Sequence, residues 1–288
     1  MSSMTRCGPA GWSYPHWNGV IYPRPKPRGF HPLEFLSQSF DTIEINTSFY
    51  QALRPEIARL WICKVSHNPA FRFGAKLNRR FTHERTLDAE DILRFKQGLR
   101  PLLEAKRLGY VLMQFPWSFR YTKENREFFI DLRRKFHEFP LVAEMRHSSW
   151  MFDEALGTLI DYRVGFCNID QPEHTNAMPP TAFLTTSIAC VRLHGRSAGD
   201  LKEEFNSGEV AARPHNYYYS AEELEEWRVR IQSLREAAAS TYVIFNNDGA
   251  GRAVLNALEL QRMFDSRRQP LPRAFDPQQS LFLDRAVA

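Results

Sequence analysis

The stretch ACVRLHG, residues 189–195, points to the architecture once it is set beside LVAEMRH, residues 141–147, and DTIEIN, residues 41–46. Each is a short apolar run, about one strand long, carrying polar residues two positions apart. Residues two apart in a strand share a face. Arg192 and His194 therefore point one way, as do Glu144 with Arg146 and Glu44 with Asn46, while Ile43, Ile45, Met145 and Leu193 point the other way. Five more runs end on a polar or aromatic residue: CGPAGW (7–12), FRFGAK (71–76), YVLMQF (110–115), VGFCNID (164–170) and TYVIFNND (241–248). Most are followed by a segment that reads as helix. Eight strand-then-helix units predict an α/β fold of the TIM type, a (β/α)8 parallel barrel, with its active site at the carboxyl ends of the strands.

The helical segments have an apolar period close to 3.6. Pro55 to Ser66 carries Ile57, Leu60, Trp61 and Val65, and Asp88 to Leu108 carries Ile92, Phe95, Leu99, Leu102 and Leu103. Lys123 to Phe136 and Gly251 to Phe264 repeat the pattern. Ser220 followed by Glu223 reads as a capping box ahead of the stripe Leu224, Trp227, Ile231 and Leu234. The connection from Asp170 to Cys190 holds Pro172, Pro179 and Pro180 and predicts no helix. The polar connection from Gly195 to Ser220 is expected to be a mobile lid, with Tyr217 to Tyr219 packing back over the pocket. Residues 1–6 are expected to be a flexible terminus, 7–265 one barrel domain and 266–288 a C-terminal extension.

Composition narrows the class of protein. With 288 residues and 43% hydrophobic content, the chain is long enough for one barrel. No apolar run reaches the roughly 18 residues of a membrane span, and the N-terminus has no apolar h-region, which predicts a cytoplasmic chain. Cys7, Cys63, Cys167 and Cys190 form no Cys-x-x-Cys pair and are expected to be buried reduced thiols, with no zinc motif. The net charge of +5 suits an anionic partner, although the short basic clusters read as solvated faces. Walker, GxGxxG and GxSxG patterns are absent, so nucleotide-cofactor and hydrolase-triad chemistry lacks support.

The strand ends supply the candidate site. One inward charged pair could be a structural ion pair, but three joined by Lys76, Asp170 and Asn246 favour a functional pocket. Glu44 or Glu144 is the candidate general base and His194 the general acid. Lys76, Arg146 and Arg192 would hold an anion, with Asn46, Gln114, His147, Asp170, Asn246 and Asn247 completing the binding surface. Trp12, Tyr50 and Trp150 are candidate stacking surfaces. No cofactor is expected. A divalent metal on Glu44, Glu144, Asp170 and His194 is the weaker alternative, because the same mouth collects permanent cations.

At these motifs the chain resembles the YecE-like family, also called domain of unknown function 72. The matching segments are GWSYPHWNGVIYP, FDTIEINTSFY, FRFGAK with Thr82-His83, LGYVLMQFPWSF, VAEMRHSSW, VRLHGR, YYYSAEELEEW and FNNDGAGRAVLNALEL. The resemblance implies a TIM barrel and supplies no reaction. GPAGW stands where GTSGW is usual, and QALRP follows Phe49-Tyr50 where an Arg-Leu-Pro run is more frequent. The expected function is acid/base catalysis on an anionic substrate, a phosphorylated sugar or a nucleic-acid fragment. A metal-assisted phosphodiesterase or nuclease and a non-catalytic small-anion-binding module are the alternatives.

Overall fold

The computed structural model describes residues 4–197 and 216–265. In chain order the elements are β1 (Thr5–Pro9), α1 (Pro32–Leu36), β2 (Thr42–Ile45), α2 (Pro55–Lys64) and β3 (Arg72–Lys76). Then come α3 (Arg79–Thr82), α4 (Ala89–Glu104), β4 (Leu108–Gln114), α5 (Lys123–Lys135), β5 (Leu141–Glu144) and α6 (Asp153–Asp161). The set ends with β6 (Gly165–Asp170), β7 (Ile188–Leu193), α7 (Ala221–Ala237), β8 (Ser240–Phe245) and α8 (Arg252–Phe264). The eight strands hydrogen-bond in the order β1-β8-β7-β6-β5-β4-β3-β2, with every paired neighbour parallel.

The barrel closes between β1 and β2 through a single bridge, Ala10 to Glu44, with Gly11 N–H donating to the Glu44 carbonyl at 2.9 Å. Closure depends on Gly8, because a Cβ there would lie 1.9 Å from the Thr42 carbonyl oxygen. A second glycine shapes the interior. A Cβ on Gly74 would fall 2.4 Å from the Tyr110 ring, so its absence lets that phenol cross the barrel.

The helix starts follow local chemistry. Asp88 accepts from the Glu90 and Asp91 amides, Thr122 accepts from Asn125, and Ser220 with Glu223 forms the reciprocal capping box. No helix lies between β6 and β7. The nine-residue α6 was not legible in sequence, because it is too short to repeat an apolar stripe over several turns. The first strand begins at Thr5, two residues inside the stretch expected to be frayed. The central part of the expected lid, 198–215, and the extension 266–288 lie outside the described residues. The tyrosines after the first of these are held through their hydroxyls: the Tyr217 hydroxyl donates to Glu223 at 2.5 Å, the Tyr218 hydroxyl donates to Glu259, and the Tyr219 hydroxyl accepts from Gly195 N–H at 2.8 Å. They fasten the barrel rim to α7 and α8. Cys63, on α2, is exposed, which corrects the expectation for that thiol; Cys7, Cys167 and Cys190 are buried. No described helix is long and apolar enough to cross a membrane.

Candidate functional site

Three strands bring their inward ionisable residues to one point. Arg192 of β7 reaches across the barrel, and its Nη2 donates to Glu44 Oε1 of β2 at 2.9 Å. Its Nη1 donates to Glu144 Oε2 of β5 and, at 3.3 Å, to Gln114 Oε1 of β4. Glu44, Glu144, Arg192 and His194 are fully buried, whereas Lys76, Gln114 and Arg146 keep 8–9% exposure. Arg192, His194 and the two glutamates thus form the floor, and Lys76, Gln114 and Arg146 are the members nearest solvent.

Each glutamate is held by several donors. Glu144 Oε1 accepts from Arg146 Nε at 3.0 Å and lies 3.3 Å from His194 Nε2. Burial pushes the Glu144 carboxyl up, but Arg192, His194 and Arg146 overcome it and hold it well below the ordinary carboxylate range. Glu44 Oε2 accepts from the Tyr110 hydroxyl at 3.0 Å. Burial, then the Glu44 charge, raises the Tyr110 phenol well above its usual value and so keeps the donor proton in place. Arg192 goes the same way: burial opposes its charge, but Glu144 and Glu44 keep it protonated.

Burial drives the His194 imidazole well below its usual value, against the pull of Glu144. His194 Nδ1 faces Asn246 Nδ2 at 3.0 Å. A neutral ring accepting there from the amide carries its proton on Nε2 and turns it toward Glu144.

Lys76 differs from the others. Ser48 Oγ, itself buried, donates to the Lys76 carbonyl at 2.7 Å and accepts from its amide at 3.1 Å, pinning the strand end. The ammonium has no such fixing. Among the described residues its nearest carboxylate oxygen is Glu44 Oε1 at 3.9 Å, the same atom that accepts from Arg192, and the Phe49 ring centroid lies 5.6 Å away. Burial, followed by the Arg192 charge, lowers the amine to about 8, with Glu44 and Glu144 pulling it back up. Beyond Phe49 stands His83, its ring centroid 5.2 Å from that of Phe49 and its Nδ1 2.9 Å from Thr82 Oγ1. Burial, then Arg146 and other nearby cations, lowers His83 to about 4.

Several candidates lie elsewhere. Trp12 packs edge-on against Trp61 of α2 and near Phe73, on the helix side of the barrel. Trp150 is fully buried, stacks on Phe119 and donates its Nε1–H to the Phe119 carbonyl at 2.7 Å. Neither faces the mouth, because the chain turns outward once its strand ends. Asp170 accepts from Trp227 Nε1 at 2.8 Å and Arg196 Nε at 2.9 Å, so it anchors α7. Asn247 donates to the Tyr217 carbonyl at 2.8 Å and to Asn256 at 3.0 Å. His147 Nδ1 caps the turn at Ser149, 3.1 Å from its amide. Tyr50 is half exposed at the rim, and Asn46 donates to the Tyr14 hydroxyl at 3.1 Å. Tyr110 was missed, although its spacing of four from Gln114 puts the two on one strand face. His83 and the pair His16–Asp248, 3.3 Å apart, lie within the segments that carry the family resemblance but were not singled out as site residues, because the position of each depends on a loop conformation.

Among the described residues no three His, Cys, Asp or Glu side chains stand close enough to share one metal ion. The two mouth glutamates are both engaged by guanidinium groups.

Eight parallel strands in a (β/α)8 barrel, with ionisable side chains joined at their carboxyl ends, define a barrel protein with a candidate site at its mouth. The chain belongs to the family described as Protein of unknown function DUF72, whose profile matches residues 6–280. It is similar to the UPF0759 protein YunF of Bacillus subtilis, 27% identical over 287 residues that cover 95% of this chain and 99% of that protein. A solved DUF72 family protein from Thermotoga maritima is 30% identical with a TM-score of 0.76, covering 91% of this chain and 99% of that one. One from Enterococcus faecalis, 24% identical over 91% of this chain and 98% of its own, shares the fold with a TM-score of 0.75.

Proposed function

We propose that this chain is an enzyme that binds a small anionic substrate against Lys76 and Arg146 at the barrel mouth and performs acid/base chemistry there. One observation carries the reading: Lys76 is a nearly buried cation whose ammonium has no hydrogen-bonding carboxylate among the described residues, with Glu44 Oε1 at 3.9 Å already accepting from Arg192. A charge so placed is costly unless an anion meets it or its proton leaves. A phosphoryl or carboxylate group resting on Lys76 and Arg146 supplies that anion.

The roles then divide by burial. Glu44 is the proton acceptor, because it lies beside the group that faces the substrate. Glu144, held ionised by its donors, fixes Arg146 and Arg192 in place. His194, neutral and fully buried, positions Glu144 instead of acting as the general acid. Arg192 ties the two glutamates together and is not the anion's contact. A metal-assisted phosphodiesterase draws no support from carboxylates engaged in this way.

Titration calorimetry at low salt with inorganic phosphate and ribose 5-phosphate tests the anion site. Loss of a desolvated charged contact weakens binding by about 2–5 kcal/mol, more than tenfold, so Arg146→Gln and Lys76→Met should each lose most of the affinity. Variants that bind as tightly as the wild type would overturn the assignment. Binding with no turnover of any bound compound would reduce the site to an anion-binding module.

A further inference from the structure

The geometry points to Lys76 as a nucleophilic amine that forms an imine with the carbonyl carbon of an anionic aldehyde or ketone. This inference rests on the anionic-substrate reading and names the substrate class and the covalent step. Lysine serves this chemistry when it sits desolvated near other cations. Lys76 fits on each count. It is 9% exposed, its backbone is clamped by Ser48 on both sides, and the Phe49 face borders its amine. The groups that act on it from the surrounding elements are Glu44, Glu144, Arg146 and Arg192, and each is tied to a neighbour within the floor. The lowering of the amine to about 8 agrees with this placement.

The step balances without any added oxidant or reductant. The ammonium gives one proton to Glu44, 3.9 Å away. The amine lone pair attacks the carbonyl carbon, the C–N bond forms, and the π pair moves onto oxygen. That oxygen takes one proton from the nitrogen and one from the Glu44 carboxyl, and leaves as water. The nitrogen lone pair closes the C=N bond. Ammonium plus carbonyl has become iminium plus water, with one positive charge on each side and Glu44 ionised again. The iminium is an electron sink that weakens bonds α to the former carbonyl carbon, the chemistry of lyases and isomerases acting on keto acids and sugar phosphates.

Reductive trapping tests this on the full chain. The protein is incubated separately with pyruvate and with glyceraldehyde 3-phosphate, reduced with cyanoborohydride at neutral pH, and mapped by peptide mass spectrometry. The chain has 8 lysines. An amine titrating near 8 is neutral at pH 7 roughly 200-fold more often than an ordinary lysine, so the adduct should concentrate on Lys76. It should vanish in Lys76→Arg, which keeps the charge. Label spread evenly over the lysines overturns the proposal. Should that variant fail to fold, competitive acylation of the wild type with acetic anhydride stands in: Lys76 should gain reactivity with a midpoint near pH 8, and a midpoint above pH 10 overturns the proposal. Adding inorganic phosphate to the acylation separates the two readings. Phosphate protection of Lys76 without carbonyl trapping leaves the anion site and overturns the imine; neither protection nor trapping overturns both.

Discussion

Two arginines four residues apart hold carboxylates in this barrel, and they do it to different ends. Arg196, at the rim, meets Asp170 at 2.9 Å, Glu223 at 3.1 Å and Glu226 at 3.1 Å, and keeps 28% side-chain exposure. It staples the end of β6 to α7, where Trp227 also donates to Asp170. Arg192 is fully buried and joins Glu44 to Glu144 across the barrel interior. At the rim one cation answers three acids. At the mouth Lys76 must share a carboxylate oxygen that Arg192 already occupies. A cation left so poorly paired at a strand end marks a place for a ligand or a reacting group, whereas a cation surrounded by acids marks a fastening.

The contrast is broken most directly by removing each arginine. Arg192→Met strands two buried carboxylates and should lower stability by about 3–5 kcal/mol, read from urea unfolding. Arg196→Met leaves acids that water or Trp227 can satisfy and should lower it by about 1 kcal/mol or less, with the difference shrinking in high salt. Equal losses would mean that the two clusters are equivalent fastenings.

Lys76 sharpens the comparison through pH. An unfolded lysine binds its proton below about pH 10.4, and the folded Lys76 only below about 8. Across that window the unfolded state holds more protons, so stability rises with pH and is flat in this respect below it. The rise should be on the order of 2–3 kcal/mol, and the pH profile of Lys76→Met should lack it. Parallel profiles for wild type and variant between pH 8 and 10 would show that Lys76 is an ordinary, solvated amine.

A smaller effect is expected at Tyr110. Replacing it by Phe removes the donor to Glu44 Oε2 while keeping the ring that Gly74 accommodates. The loss should be about 2 kcal/mol in urea unfolding. A neutral outcome would show that Arg192 alone holds Glu44.

The eight strands, the parallel barrel and the inward direction of the charged pairs were legible in the local pattern of residues. These follow from local rules: strand alternation puts Glu44, Glu144 with Arg146, and Arg192 with His194 on one face, and a barrel sends that face to its interior. The capping box at Ser220 was legible for the same reason, since its partners lie three residues apart. Which charge meets which became visible only in the folded chain. Arg192 contacts residues 48 and 148 positions away, and no spacing rule reaches that far. Trp12 and Trp150 left the site because loops after a strand end are free to turn outward. Asp170 became an anchor because α7 brought Trp227 onto it. Lys76, one more cation in the sequence, became distinctive only once its neighbours' hydrogen bonds were fixed, because what sets a buried charge apart is the pairing left available to it.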